Sequence, residues 1–528
     1  MKFFFTGETP RLPEPNPRRD RTAGVPNLPA HILDRHRARV LRPGDAPLAP
    51  GASTPGSTIY RYNRLMMCHK LLENDAQLSE LDAALAVQGM RIDREHLAGK
   101  ERSARMHRAK VTLGDRVTPA QVDAWTVMQT LRGAVDGGKC SQELISRLRL
   151  EHLLVGAAWT AVGDGHGSPS GGPYGGERLA ELTYPGRTPV DLVLPLPQRR
   201  PVHALPGKRR PVIAVLDTGI APHPELPVSD RQEDRDTFVT VDNALQEAIS
   251  SDCDAEGPSI DGPWDNRFSD DSLLGRVAAY YGHGTFIAGI IRQLAPDAEV
   301  RSIRIMHNDG IAHENECLAA LTALAEEAER ARAGDETARP VDIVSLSWGY
   351  VDEDIPAEVP AHAHSALRAL IERLNGLGIA VVAAAGNFAS ARPFYPAAFA
   401  AGPRSSEAAP TISVGALNPN GTVAMFSNDG PWLSAFATGA AMVSTYPFLV
   451  EGSEETEQNF RQGRKRESLD PDDFESGYAL WSGTSFAGPV IAAKLAAAML
   501  SESPVDMAAQ DAQSVALRVQ SALKAIGG

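Results

Sequence analysis

From Val212 onward the chain alternates short apolar, β-branched runs with stretches of helical period, and few folds accommodate that pattern. The runs are VIAVL (212–216), VRSIRI (300–305), VDIVSLS (341–347), IAVVAAA (379–385) and TISVGA (411–416), with amphipathic stretches near 313–333 and 362–376 between them. Strands that are apolar on both faces belong in a sheet covered by helices on each side. The expected class is therefore α/β with a mostly parallel sheet. In such sheets reactive groups gather at the carboxyl ends of the strands.

What precedes Val212 reads differently. Residues 1–57 are rich in proline and arginine without a period, which predicts an extended or disordered lead-in. Over 58–161 the pattern turns helical: Leu65, Leu71, Leu72, Leu78, Leu81 and Leu85 recur at three- and four-residue steps or their multiples. Leu144, Leu148 and Val155, broadened by Ile145 and Leu154, suggest a second helix face. A largely helical N-terminal region is expected there. The Gly- and Pro-rich stretch 162–204 reads as a linker, and 205–528 as the α/β domain.

Charge narrows the partners. Sixty-six acidic against 52 basic residues leave a net charge of −14, a poor field for attracting nucleic acid or an anionic membrane. No stretch approaches the apolar run of a membrane helix. Four scattered cysteines carry no CxxC pair and suggest a reducing compartment. The opening MKFFFTGETP lacks the apolar core of a secretory signal, so the expected location is cytoplasmic.

Three motifs can carry chemistry. Asp217-Thr218-Gly219 directly follows the strand VIAVL, presenting a carboxylate at the sheet edge, although an Asp there is ordinarily a turn residue. Gly282-His283-Gly284-Thr285 runs into the apolar FIAGII, where the bland reading is a histidine satisfied by local bonds. Gly483-Thr484-Ser485 precedes a long apolar helix, where a serine is ordinarily a cap. A serine hydroxyl becomes a nucleophile when a histidine takes its proton and a carboxylate holds that histidine. The order Asp, His, Ser is the one known for subtilisins. Asn387, after the strand IAVVAAA, adds an amide donor of the kind that shelters an oxyanion.

These motifs make the chain resemble the subtilisin-like serine proteases, the subtilases of peptidase family S8. The resemblance rests on VIAVLDTG, YGHGTFIAGII, SLSWG, VVAAAGN and SGTSFAGP and runs from about Val212 to Met499. It implies a three-layer fold and a serine endopeptidase acting through an acyl-enzyme. Asp217 would orient, His283 act as base and acid, and Ser485 attack. Asn387 with the Ser485 amide would form the oxyanion hole. Ser347-Trp348-Gly349 would pair with the substrate strand, and Ala384-Ala385-Gly386 would face it across the first pocket. Phe486, Gly488 and Val490 depart from the common sequence after the serine, and Trp348 is bulkier than the usual leucine.

The expected partner is a peptide or protein substrate. The N-terminal region is read as autoinhibitory or substrate-recruiting. Two alternatives stay open, a non-catalytic peptide-binding scaffold of the same fold and a protease dedicated to one substrate. No cofactor is required by this chemistry; structural calcium is compatible with the family, without an assignable position. DCDAEG (252–257) opens like an EF-hand loop, but its twelfth position falls on Pro263, so an EF-hand is rejected. The acid-rich insertion 230–271 reads as a solvated loop. His166, His362 with His364, and His307 with His313 lack a clustered ligand set, and no metal site is expected. Lys208-Arg209-Arg210 and Arg464-Lys465-Arg466 read as exposed basic loops or cutting sites.

Overall fold

The computed structural model describes residues 1–6, 24–93, 106–114, 122–159, 187–230, 237–254, 256–266, 277–353, 366–401, 407–448, 450–451, 459–461, 463–466, 473–502, 507–509 and 511–527. Its centre is a nine-stranded sheet whose interior strands are parallel, as the apolar runs require. Val212–Asp217 lies in the middle, between Glu299–Arg304 and Ile343–Leu346. Ala380–Ala384, Thr411–Leu417 and Ala435–Thr438 follow outward on one side, and the short strands Val239–Val241 and Val228–Ser229 on the other. Helices His283–Leu294 and Thr484–Ser501 pack together and on the sheet; Glu314–Arg332 and Ala366–Gly376 form a second packed pair. Thr484–Ser501 has the length and composition to cross a bilayer, against expectation, yet 78% of it is buried in the core.

The lead-in is neither wholly extended nor without regular structure: Ala30–Arg35 is a short helix, and the first residues of the chain join the core sheet. Phe3–Phe5 closes the sheet as an antiparallel edge on Ala435–Thr438, with Phe4 packed on Phe436 at 5.4 Å. Edge pairing needs only three residues and one aromatic contact, which a proline-rich composition does not forbid. Of the linker, 187–204 is fastened down: the buried Arg187 donates to the Ala278 and Tyr281 carbonyls, and Thr188–Pro189 pairs with Tyr478–Gly483. Gly163–Gly176 lies outside the described residues.

The region 58–161 is not largely helical. Thr58–Cys68, Met90–Asp93, Met106–Leu113 and Leu148–Gly156 form an antiparallel sheet, and helices Asp75–Ala86 and Ala124–Asp136 cover it. Leu78, Leu81 and Leu85 do bury one helix face, but Leu65 belongs to a strand, and the Leu144–Val155 pattern divides into a short helix and a strand. A strand buried on both faces reads as a continuous apolar run, and periodicity alone does not separate that from a buried helix. These residues have their own core, including Leu65, Met67, Leu81, Trp125 and Leu131. Leu148–Gly156 is also the joint between the two halves. It pairs with Thr58–Cys68 on the N-terminal side and with Ile311–His313 and Trp348–Gly349 of the α/β domain.

The joint is lined with buried charge. Asp254 accepts from Arg61 at 2.5 Å and Arg64 at 2.7 Å, and Arg108 pairs with Glu151 at 2.8 Å and Glu316 at 2.6 Å. The acidic insertion is therefore not simply a solvated loop, since its Asp254 is a docking carboxylate. Burial opposes the charge on Asp254, but hydrogen bonding and charge from Arg64 and Arg61 outweigh it and hold the carboxyl below its usual range. Arg209 likewise pairs with Asp342 at 2.8 Å, so the basic run 208–210 is partly tied into the domain. Arg464–Arg466 forms a hairpin strand with Asn459–Arg461.

Candidate active site

Asp217 ends the central strand, and its Oδ1 accepts from the Thr218 amide at 2.8 Å and from His283 Nδ1 at 2.7 Å. His283 opens its helix because Gly282 before it takes a left-handed φ of 81°, and a Cβ at Gly282 would lie 2.5 Å from Tyr446 and Pro447. Gly284 is as constrained: its Cβ would meet the Gly219 carbonyl at 2.2 Å. The two glycines thus let the histidine turn close to the aspartate. Asp265 and Thr218 brace this turn. Asp265 Oδ2 accepts from Thr218 Oγ1 at 2.7 Å and from the Gly282 amide at 2.8 Å, and Thr218 Oγ1 accepts from the Gly284 amide at 3.0 Å. Burial pushes the Asp265 carboxyl up to about 6, against these stabilising bonds.

The His283 ring is fully buried among Tyr280, Trp481 and Phe486, with ring centres 5.1, 5.5 and 5.4 Å away. Its Nε2 has no hydrogen-bond partner among the described residues. Such a nitrogen, held by a carboxylate at the other side of the ring, can accept a proton.

Ser485 is the second residue of the long apolar helix. Its Oγ donates to the Ser347 carbonyl at 3.2 Å rather than to His283. Pro489, four residues on, has no N–H to give the Ser485 carbonyl, and Ser347 Oγ donates to it at 3.1 Å instead. Asn387 follows Gly386, whose φ of 96° turns the chain after Ala380–Ala384. Its Oδ1 accepts from the Thr484 amide and hydroxyl, both at 2.9 Å, which fixes the amide so that Nδ2 points the other way.

What Nδ2 meets is the chain itself. The Ala157 carbonyl accepts from Asn387 Nδ2 at 2.5 Å and from the Ser485 amide at 2.9 Å. The Ala157 amide donates to the Ser347 carbonyl at 2.9 Å, and Gly156 and Val155 pair with Trp348 and Gly349. Tyr280 Oη donates to the Gly156 carbonyl at 2.7 Å. Beyond the carbonyl, Ala158 and Trp159 pair with Gly483 and Ser482. Residues 155–159 thus run unbroken past Ser485. The sequence placed Ser347, Trp348 and Gly349 along a bound strand, and they lie along this one. The Trp348 indole does not narrow the cleft: it is buried and donates to the Leu216 carbonyl at 3.0 Å. Ala384, Ala385 and Gly386 sit at the sheet edge, where the Gly386 amide donates to Thr484 Oγ1 at 3.0 Å.

Sequence reasoning missed Ala157, Asp265 and Tyr280, and it quoted Thr484 within a motif without giving it a role. The first is an ordinary alanine in an apolar run. The others act by donating to, accepting from or covering motif residues, which no local pattern signals.

The family model described as the Subtilase family matches residues 208–525. The chain belongs to this family. It is similar to a "Thermostable alkaline protease" of Halalkalibacterium halodurans, at 26% identity over 44% of this chain and 49% of that protein. It is also similar to "Subtilisin BL" of Lederbergia lenta, at 25% identity over 44% of this chain and 66% of that protein. The chain thus spans about half of the first relative and under two thirds of the second. A solved structure described as a lanthipeptide protease aligns over 55% of this chain and 73% of its own, with a TM-score of 0.34 and 18% identity. This subtilase carries in addition the N-terminal sheet, which lies outside the matched residues.

Proposed function

We propose that this subtilase is a serine endopeptidase and that its own N-terminal region restrains it by lying in the cleft as a substrate would. The observation carrying the reading is the Ala157 carbonyl, held by Asn387 Nδ2 and the Ser485 amide at the position where a tetrahedral oxyanion needs two donors. Rotation about the Ser485 Cα–Cβ bond hands its hydroxyl to His283 Nε2. That nitrogen takes the proton as Oγ bonds to the carbonyl carbon, and Asp217 stabilises the imidazolium. The imidazolium then protonates the leaving amide nitrogen, the C–N bond breaks, and water hydrolyses the ester by the same steps reversed. In the resting chain the bond presented is Ala157–Ala158, which favours a small residue before the scissile bond. Peptides and proteins with that feature are the proposed substrates.

A fluorophosphonate probe tests the peptidase reading. Labelling of the wild-type chain, after mild denaturant has displaced its N-terminal region, that vanishes in Ser485→Ala supports it. Absence of labelling in a folded chain whose N-terminal region has been displaced by mild denaturant overturns it in favour of a peptide-binding scaffold.

A further inference from the structure

Three buried histidines converge where the N-terminal segment meets the α/β domain. His36 follows helix Ala30–Arg35, while His307 and His313 stand on either side of the turn into strand Ile311–His313. Read along the chain, His307 and His313 have no clustered partner. The fold supplies one from 277 residues before His313. Each histidine offers a ring nitrogen lying within 4.8 Å of the other two. The ring centres form a nearly equilateral triangle of 5.2, 5.2 and 5.4 Å. Three imidazoles on one tetrahedral ion, with nitrogens at about 2.0–2.1 Å from it, place their ring centres about 5 Å apart.

The second nitrogens carry the argument further. His36 Nδ1 and His313 Nε2 face each other at 2.9 Å. His36 Nε2 then points to Asp309 Oδ2 at 2.9 Å, and His313 Nδ1 to Glu316 Oε1 at 3.5 Å. A histidine that ligates a metal almost always gives its other N–H to a carboxylate, which fixes the tautomer. His36 does so, while Glu316 stands beside the other nitrogen of His313 without a hydrogen bond to it. Both carboxylates are themselves anchored, Asp309 by Arg35 at 3.1 Å and Glu316 by Arg108 at 2.6 Å.

We propose that His36, His307 and His313 form a binding site for an imidazole-preferring divalent transition metal ion of the Zn²⁺ class, which clasps the N-terminal segment to the α/β domain. An all-nitrogen set suits Zn²⁺, Co²⁺, Ni²⁺ or Cu²⁺ and not Ca²⁺ or Mg²⁺, which take oxygen. Three imidazoles leave one tetrahedral position for a water molecule or other donor. Burial also favours the neutral, ligating form of His307 and His313. A proton is the competing occupant, because the two ring nitrogens of His36 already lie within hydrogen-bond distance of Asp309 and His313. The site stands without the peptidase reading; only its consequence, a tighter hold on the segment that fills the cleft, rests on it.

The test uses the full-length Ser485→Ala chain, so that no outcome depends on catalysis. The protein is stripped with chelator, given Zn²⁺, passed through a desalting column and assayed for metal by mass spectrometry. The expected result is about one ion per chain, and Co²⁺ in its place gives the intense visible absorption of a tetrahedral site. His36→Gln and His313→Gln lose the retained metal, while His203→Gln, which changes an exposed histidine, keeps it. Metal-free recovery of the parent, a weak octahedral Co²⁺ spectrum, or equal retention in His36→Gln overturns the proposal and leaves the proton as occupant. The Co²⁺ spectrum of the parent decides the matter even where a histidine variant fails to fold.

Discussion

Replacing Asp254 by Asn tests how the N-terminal region is held. Asp254 is buried and shared between Arg61 and Arg64, at 2.5 and 2.7 Å. Removing one member of a buried ion pair costs about 3–5 kcal/mol, because the remaining charge stays desolvated. Each arginine keeps a second carboxylate, Glu151 at 3.4 Å and Glu256 at 3.2 Å, which argues for the low end, about 3 kcal/mol. At 1.4 kcal/mol per tenfold, docking weakens about 10²-fold. The amides of Gly156 and Ala157 read this directly, since they bond across the joint to the Gly310 and Ser347 carbonyls. Their hydrogen-exchange protection in a Ser485→Ala background falls about 10²-fold in Asp254→Asn. Glu372→Gln, which breaks an exposed pair with Arg368, leaves it unchanged. Equal protection in Asp254→Asn and its parent would refute the reasoning that buried charge seats this region.

Two further outcomes follow from the site. Asn387→Ala lowers kcat by about 10²–10³, the range set by a subtilisin asparagine, with little change in KM; Thr484→Val, which takes the hydroxyl from Asn387 Oδ1, lowers it less and is rescued by Thr484→Ser, both read on an ester substrate. His152 Nε2 lies 2.7 Å from Glu353, with Glu314 at its other nitrogen and Tyr350 stacked on its ring. Burial opposes its charge, but Glu353 and Glu314 outweigh that and push it up to about 10. The docked state therefore binds more protons than the undocked one. That contribution is complete below about pH 6.5 and is lost as pH rises towards 10. Protection at Gly156 and Ala157, corrected for intrinsic rates, should fall over that window and should do so less in His152→Gln.

Much of this was legible in sequence where a strand and a short motif reinforce each other. VIAVL followed by Asp217 is both a buried strand and a carboxylate at its carboxyl edge, and the fold leaves no other place for it. Asn387 was legible for the same reason. The N-terminal sheet was not, since Leu148–Gly156 is buried between two strands and its period says nothing about which partner it has. Asp254 reads as one acid among many until Arg61 and Arg64 arrive from nearly two hundred residues away. Ala157 was invisible for a deeper reason: its part is played by a backbone carbonyl, which every residue has.

The central claim is that residues 155–159 lie across Ser485 in the pose of a substrate. The intact masses of the purified wild-type and Ser485→Ala chains, with N-terminal sequencing of any fragments, test it most directly. Cleavage between Ala157 and Ala158 in the wild type, and an uncut chain in Ser485→Ala, is the expected result. Fragments that begin elsewhere, or the same cut in both proteins, would contradict it.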